Sequence, residues 1–145
     1  MTVISICTTI AAPPDSVWAD IEDLSTHTEW MTDAEDIRFT TDQRRGVGTQ
    51  FTCRTHVGPL SVSDALVVTE WEPGKVMGIE HRGAVTGTGR FTLRPSLEGG
   101  TRFCWREELW FPWWLGGVIG ARLAAPIFRR IWSANLRRLA ARLER

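Results

Sequence analysis

The spacing of apolar residues changes along this chain. From Val3 to Ile10, isoleucines alternate with polar residues, which is the period of a β-strand. Towards the other end, apolar residues recur every three or four positions, which is the period of an amphipathic helix. If Leu115 to Leu143 is helical throughout, that helix is ~43 Å long. The pattern therefore predicts a strand at the start and a long helix at the end.

Two short helices are predicted after the first strand. Prolines at 13 and 14 followed by Asp15 end the strand and suit the first turn of a helix. The apolar spacing from Val17 to Leu24 gives this helix one buried stripe. Ser25 is predicted to cap a second short helical turn that ends near Trp30.

The middle of the chain alternates in short segments separated by turn-like sequences rich in glycine and proline. The predicted strands are Ile37 to Thr41, Thr49 to Val57, Leu60 to Trp71, Val76 to Arg82, Thr88 to Arg94 and Thr101 to Phe111. Strands joined by such short turns must be antiparallel. We therefore predict an α+β, helix-grip arrangement. A curved antiparallel sheet of about seven strands, with two short helices and one long C-terminal helix, forms a single domain over residues 1–145.

The last helix contains residues that disfavour a helix. Pro126 removes one backbone hydrogen bond and predicts a kink or interruption near residues 122–126. Gly116, Gly117 and Gly120 each weaken a helix by roughly 1 kcal/mol relative to alanine. We therefore expect the secure helix to begin near Ala121.

Charge is balanced overall but divided along the sequence. The formal net charge is +0, which gives no support to a nucleic-acid partner. Residues 1–37 contain acidic side chains and no Lys or Arg, whereas seven arginines and one glutamate follow residue 112. The arginines are explained either by a solvated helix face or by an anionic partner or membrane surface.

The three cysteines, Cys7, Cys53 and Cys104, are far apart in alternating segments. This spacing predicts neither a disulfide framework nor a metal site, and buried thiols in the reduced cytoplasm are expected. The N-terminus is unlike a signal peptide. The apolar stretch from Trp113 to Phe128 is too short to span a bilayer and contains Arg122. No metal or cofactor motif is present, so neither is expected.

Several local sequences, taken in order, resemble the START and polyketide cyclase-like superfamily (SRPBCC), which has a helix-grip fold. The likeness spans nearly the whole chain. It is carried by Val3 to Ile10 with Ala12-Pro13-Pro14-Asp15-Ser16-Val17-Trp18, by Gly46-Val47-Gly48-Thr49, by Gly87-Thr88-Gly89-Arg90-Phe91, by Gly100-Thr101-Arg102-Phe103-Cys104-Trp105, and by Ile131-Trp132 through Asn135-Leu136 to Leu139.

The resemblance implies a ligand cavity between helix and sheet but no particular reaction. Members of the superfamily include lipid carriers, hormone receptors, coenzyme-Q-binding proteins, aromatic cyclases and oxygenase subunits. They share no catalytic motif, so the resemblance assigns no catalytic residue to this chain. Fold analogy alone cannot name a function.

Strand alternation predicts which side chains face the helix. Glu107 and His81 are ionisable groups on otherwise apolar faces, and Asp64 interrupts an apolar set in the same way. These three are the candidate catalytic residues, because a buried carboxylate is costly unless it is paired or protonated. Either they anchor a ligand or move protons inside the cavity, or each lies near a strand end, reaches water or pairs with a local arginine. The candidate ligand-binding residues are Trp30, Phe51, Cys53, Ile79, His81, Phe91, Trp105, Glu107, Leu123, Ile127 and Trp132.

Three functions remain open from the sequence. The first is binding of a hydrophobic small molecule such as a lipid, polyketide, quinone or isoprenoid. The second is a polyketide aromatase/cyclase or dehydrase that uses the same cavity. The third is an interaction module, in which the lip around Trp113 and Trp114 and the Arg-rich helix contact a membrane or a protein. That lip is alternatively a buried cap under the helix or a homodimer contact.

Overall fold

A computed structural model describes residues 1–144 as one antiparallel sheet with a long helix. The strands are β1 (Thr2–Ile10), β2 (Ala34–Phe39), β3 (Gln50–Val57), β4 (Leu60–Glu72), β5 (Val76–Arg82), β6 (Thr86–Pro95) and β7 (Thr101–Trp110). The helices are α1 (Pro14–Ile21) and α2 (Gly117–Leu143), with 3-10 turns at Leu24–Glu29, Leu97–Gly99 and Trp113–Leu115. The predicted fold class is confirmed.

The sheet order is β1-β7-β6-β5-β4-β3-β2, so the first and last strands are neighbours. Helix α2 packs mainly on the β1 and β7 end of the sheet. One helix cannot cover seven strands, and α2 leaves much of the inner faces of β3, β4 and β5 uncovered. This geometry opens the space in which the candidate site lies.

Burial along β7 alternates at every residue, as the period of two requires. Phe103, Trp105, Glu107 and Leu109 are buried on the inner face, and the residues between them are more exposed. This set is the one that alternation predicted for the strand.

Several element boundaries differ from the sequence prediction. Strand β2 begins at Ala34, three residues before the predicted Ile37, because pairing with β3 starts at Ala34 opposite Thr55 and includes a bulge. The cap of the first 3-10 turn is the side chain of Asp23, which accepts a hydrogen bond from the backbone N–H of Ser25. Ser25 itself is therefore not the cap.

Helix α2 begins at Gly117 and continues through Pro126 without interruption. The expected start near Ala121 and the expected interruption near residues 122–126 were both wrong. Gly120 is required where it stands, because a side chain there would collide with the carbonyl oxygen of Leu115 in the preceding turn. Close packing of turn against helix thus favours glycine despite its low helix propensity.

Cys7 and Cys104 form a disulfide, which contradicts the expectation of three free thiols. The two residues are 97 positions apart in sequence but lie directly opposite in the β1–β7 register. Only Cys53 is free among the described residues. The expectation of a cytoplasmic protein rested partly on reduced thiols, and the disulfide removes that support.

Arg142 connects the end of α2 to the acidic N-terminal segment. Its guanidinium lies 3.1 Å from Asp20 and 3.0 Å from Glu29. Part of the charge division along the sequence is therefore neutralised within the fold. None of the helices formed by residues 1–144 combines the length and the apolar character needed to cross a bilayer.

Candidate functional site: an apolar cavity with a buried ion pair

A cavity of about 330 Å³ lies between the inner face of the sheet and helix α2. Its volume falls in the range of small-molecule pockets, roughly 300–1,000 Å³. Most of its wall is aliphatic or aromatic. The wall residues on the strands include Phe51, Cys53, Val57, Leu60, Val62, Leu66, Met77, Ile79, Phe91, Trp105 and Leu109, and those on the last helix are Ala124, Ile127, Phe128 and Trp132.

Most of the predicted site residues meet at this cavity. The ones that line it are Phe51, Cys53, Asp64, Ile79, His81, Phe91, Trp105, Glu107, Ile127 and Trp132. They come from β3, β4, β5, β6, β7 and α2, and are therefore distant in sequence. The alternation of each strand points them to the same side of the sheet.

Two predicted ligand-binding residues lie elsewhere. Trp30 is 1% exposed and packs against Phe91 and Trp105, with ring centroids 6.0 and 6.2 Å away, so it supports the cavity wall from behind. Leu123 is 72% exposed and points to solvent. It lies two positions from the buried Ala121, which places it about 200° around the helix on the opposite face. Neither residue is part of the cavity wall.

His81 and Glu107 form an ion pair inside this apolar wall. His81 Nε2 donates to Glu107 Oε2 at 2.7 Å, and Trp105 Nε1 donates to Glu107 Oε1 at 2.9 Å. The side chains of His81 and Glu107 are 16% and 7% exposed. Both carboxylate oxygens therefore have a donor, which is the condition under which a buried carboxylate is tolerated.

Burial lowers the pKa of His81, but the charge of Glu107, its hydrogen bond and the charge of Asp64 raise it more. The net pKa of His81 lies above its ordinary value. His81 therefore keeps its proton to a higher pH than an ordinary histidine does, and in that form it can present the proton to a bound molecule.

Gly89 provides the space for the Glu107 carboxylate. It is the cross-strand partner of Glu107 in the β6–β7 register. A Cβ at this position would lie 2.6 and 2.7 Å from the two carboxylate oxygens. Since heavy atoms do not approach that closely without displacement, the absence of a side chain allows the carboxylate to lie flat over the neighbouring strand.

Asp64 lies on β4 at the same cavity and is half-buried. Burial raises the pKa of its carboxyl, while His81 and backbone N–H groups at Ala84 and Val85 lower it by a smaller amount. Its Oδ1 accepts the Ala84 N–H at 3.0 Å, which ties β4 to the β5–β6 turn. Asp64 therefore acts within the fold as a turn partner as well as lining the cavity.

Cys53 is the free thiol of the cavity wall. Burial raises its pKa to about 11. A thiol with so high a pKa remains protonated near neutral pH, and the thiolate is the reactive form. Cys53 is therefore an apolar wall residue and not a nucleophile.

Four polar residues in the wall were not predicted as site residues: His27, Asp33, Thr55 and Arg90. His27 is buried and its Nε2 donates to the Ile21 carbonyl at 2.8 Å, and burial lowers its pKa. Asp33 accepts hydrogen bonds from Trp132 at 3.0 Å and Asn135 at 2.8 Å. His27 and Asp33 are therefore held by structural partners. Nothing in the local sequence indicates the Asp33 contacts, which join residues about a hundred positions apart.

The helix side of the cavity is closed by stacked aromatic rings. Trp132 stacks on Trp105 with centroids 4.8 Å apart and an interplanar angle of 19°. Phe128 stacks on the same Trp132 at 5.1 Å. These rings provide a flat apolar surface beside the ion pair, which suits planar or chain-like hydrophobic ligands.

The segment before α2 is not a buried cap. Trp113 is 87% exposed and Trp114 is 55% exposed. The alternative that placed them under the helix was wrong for the monomer, because the turn Trp113–Leu115 projects both rings outward. No three His, Cys, Asp or Glu side chains within residues 1–144 are grouped so that they could hold a metal ion.

A curved sheet, one long helix and an apolar cavity between them define a helix-grip ligand-binding fold. The family model for polyketide cyclase / dehydrase and lipid transport proteins matches residues 1–144. The chain belongs to this family, and its predicted membership of the START and polyketide cyclase-like superfamily is confirmed.

Solved structures share the fold at low sequence identity. The Thermus thermophilus protein TTHA0849 has a TM-score of 0.80 at 18% identity, covering 98% of this chain and 97% of that one. The Zhui aromatase/cyclase from Streptomyces sp. R1128 has a TM-score of 0.80 at 15% identity, covering 99% and 94%. Protein Mll3558 from Rhizobium loti has a TM-score of 0.68 at 24% identity, covering 97% and 95%. None of the curated proteins matches this chain in sequence.

Proposed function

We propose that this chain, as one ligand-binding unit, binds a hydrophobic small molecule in the cavity between sheet and helix. A lipid, polyketide, quinone or isoprenoid-like molecule fits this chemistry. The observation that carries the proposal is the 330 Å³ cavity with its mainly apolar wall. Burying apolar ligand surface against such a wall contributes roughly 25 cal/mol for each Å² removed from water.

The polar part of the ligand is expected to meet His81 and Glu107. An ion pair in an apolar cavity orients a ligand, because any carbonyl or hydroxyl group gains most by lying beside it. The protonated imidazole of His81 would donate to a carbonyl or hydroxyl oxygen. The ligand class is therefore a hydrophobic molecule with an oxygen function, not a pure hydrocarbon.

Native mass spectrometry of freshly purified protein tests the binding function directly, since a bound ligand adds a defined mass. Titration with the apolar fluorophore N-phenyl-1-naphthylamine provides a second readout. Cys53→Phe places a ring in the cavity and should abolish fluorophore binding. Thr52→Phe places the same ring on the outer face of the same strand and should leave binding intact. Equal binding by the two variants would refute the cavity as the binding site.

A second candidate function is a proton-transfer reaction of the cyclase or dehydrase type. The observation that favours it is the 2.7 Å contact between His81 and Glu107 inside the cavity. The family description and the aromatase/cyclase among the structural relatives support the same class. In a dehydration, a base removes the proton from the carbon next to a carbonyl, and an acid protonates the leaving hydroxyl. The neutral form of His81, held by Glu107, would take that proton, and the imidazolium so formed would give it to the leaving hydroxyl, so that the products are an enone and water.

A synthetic β-hydroxyketone with a naphthyl group tests this second function, because loss of water produces a conjugated enone with a new absorbance. Wild-type protein should accelerate the loss of water, and His81→Ala and Glu107→Gln should each remove most of the acceleration. Glu108→Gln changes a neighbouring carboxylate on the outer face and serves as the matched control. If the protein binds the fluorophore but does not accelerate the dehydration, the binding function is supported and the enzymatic function is refuted.

A further inference from the structure

Helix α2 and the turn before it present apolar side chains to solvent. We call this set the outer apolar face: Trp113, Trp114, Ile119, Leu123 and Ile127. Trp113 is 87% exposed, Ile119 and Leu123 are each 72% exposed, and Ile127 is 53% exposed. Single exposed apolar residues are ordinary, but a contiguous group on one element marks an interaction surface.

The helical spacing makes the group continuous. Ile119, Leu123 and Ile127 are four positions apart and therefore lie one above another along the helix. The opposite side of the same helix carries Ala121 and Trp132, which are buried against the sheet. The outer stripe is therefore additional to the core, and the fold itself does not explain it.

The charges beside this face have one sign. Arg122, Arg129 and Arg130 are exposed, and no Asp or Glu occurs between Pro112 and Leu143. Within the part of the chain that the structure describes, no carboxylate forms an ion pair with these three arginines. Arg142 at the far end of the helix is ion-paired with Asp20 and Glu29, whereas these three arginines beside the apolar stripe have no such partner.

The outer apolar face is also continuous with the cavity. Ile127 is half-exposed and at the same time lines the cavity wall. Leu115, in the turn that carries the two exposed tryptophans, lines the cavity too. Apolar side chains therefore extend from the cavity wall to the outer apolar face. A hydrophobic molecule that leaves or enters the cavity here would pass along them.

We infer that the outer apolar face docks on an anionic lipid bilayer, with its side chains in the headgroup region and its arginines at the lipid phosphates. Tryptophan side chains favour that interface, and arginines favour anionic headgroups. The role of docking, to load or release the cavity ligand at the membrane, rests on the proposed function. The docking itself does not.

Vesicle flotation tests the docking. Full-length protein should float with vesicles of phosphatidylcholine containing phosphatidylglycerol, and far less with phosphatidylcholine alone. Raising the salt concentration should release it, because exposed charges are screened. Brominated lipid chains should quench tryptophan fluorescence if the rings of residues 113 and 114 enter the headgroup region.

Two pairs of variants separate this face from a general surface effect. Leu123→Asp should weaken vesicle binding at least tenfold, since it removes a leucine that docking buries and adds a negative charge. Leu97→Asp changes another leucine, 91% exposed on the turn between β6 and β7, and should bind as wild type does. The double change Arg122→Gln with Arg129→Gln should weaken binding roughly 25-fold, at about fivefold for each arginine. Arg54→Gln with Arg94→Gln, both exposed elsewhere, is its control.

The outcomes distinguish the alternatives. Equal binding by Leu123→Asp and Leu97→Asp overturns the docking surface. Sedimentation velocity that shows a dimer lost only in Leu123→Asp, with no vesicle binding, would assign the face to a second copy of the chain and overturn the membrane proposal. Leu123→Asp should still bind N-phenyl-1-naphthylamine, so a failure of docking can be told apart from a failure of ligand binding.

Discussion

Replacing Glu107 by glutamine should destabilise the protein in a way that depends on pH. At about pH 6, His81 is protonated, and its hydrogen bond to the carboxylate is charge-assisted, worth about 1.5–3 kcal/mol. Glutamine has only one acceptor oxygen, but the protonated His81 and Trp105 both donate to this position. One of the two donors would face the amide NH₂ group and lose its acceptor. The free energy of unfolding at this pH should therefore fall by about 3 kcal/mol.

At high pH the same substitution should cost much less. The pKa of His81 is raised in the folded protein above the ordinary value of 6.5. The ion pair therefore contributes fully below the pKa of the unfolded chain, and its contribution disappears as the pH rises through the raised pKa. A neutral imidazole can accept a hydrogen bond from the glutamine NH₂, while the glutamine oxygen accepts from Trp105. All partners are then satisfied, and the cost should fall to about 1 kcal/mol or less.

Urea unfolding followed by tryptophan fluorescence, at about pH 6 and about pH 10, measures the two free-energy differences. Glu108→Gln is the control, because it removes an exposed carboxylate paired with Arg106 and should cost less than about 1 kcal/mol at either pH. If Glu107→Gln costs the same at both pH values, the geometry at the carboxylate is not what we describe. An NMR titration can follow the pKa of His81 directly. If Glu107→Gln leaves that pKa unchanged, the charge of Glu107 does not act on His81 as described.

Three further predictions follow from single contacts. Gly89→Ala should push the carboxylate on the opposite strand away from His81 and lower the pKa of that histidine in an NMR titration; an unchanged pKa would show that the strand can adjust. Asp33→Ala leaves an indole and an amide donor of helix α2 unpaired and should lower the free energy of unfolding in urea by about 2–5 kcal/mol; a loss under about 1 kcal/mol would contradict it. Replacing both Cys7 and Cys104 by serine should cost about 2–4 kcal/mol in urea without reductant, because it frees a long loop in the unfolded chain; equal stability would argue against the bond.

The strand faces were predictable from the sequence because the period of two is a local property. Phe103, Trp105, Glu107 and Leu109 share one face whatever the rest of the fold does. Glu107 stood out because it is the one ionisable residue in this set, and a buried charge needs a partner. The same reasoning applied to β5 singled out His81. In the folded sheet the side chains of His81 and Glu107 lie on the same face, within hydrogen-bond distance.

The remaining contacts depend on register, which the sequence does not state. The disulfide requires Cys7 to lie directly opposite Cys104, and a shift of one residue would point the two side chains to different faces. Leu123 was misplaced for a related reason. Helix α2 is apolar on two opposite sides, so the apolar spacing alone did not tell which side faces the sheet.

Trp105 connects the polar centre of the cavity to the helix. Its indole N–H holds Glu107 at 2.9 Å, and its ring stacks on Trp132, whose own N–H donates to Asp33. Glu107, beside which the polar group of a ligand is proposed to lie, is therefore connected to α2 through Trp105 alone. The same helix carries the outer apolar face on its opposite side. A shift of α2 that widened the cavity would move both the stacked rings and the outer apolar face. They would move together because they belong to one helix and its inner side is closely packed. Ligand binding and bilayer docking, as proposed above, thus meet in a single structural element.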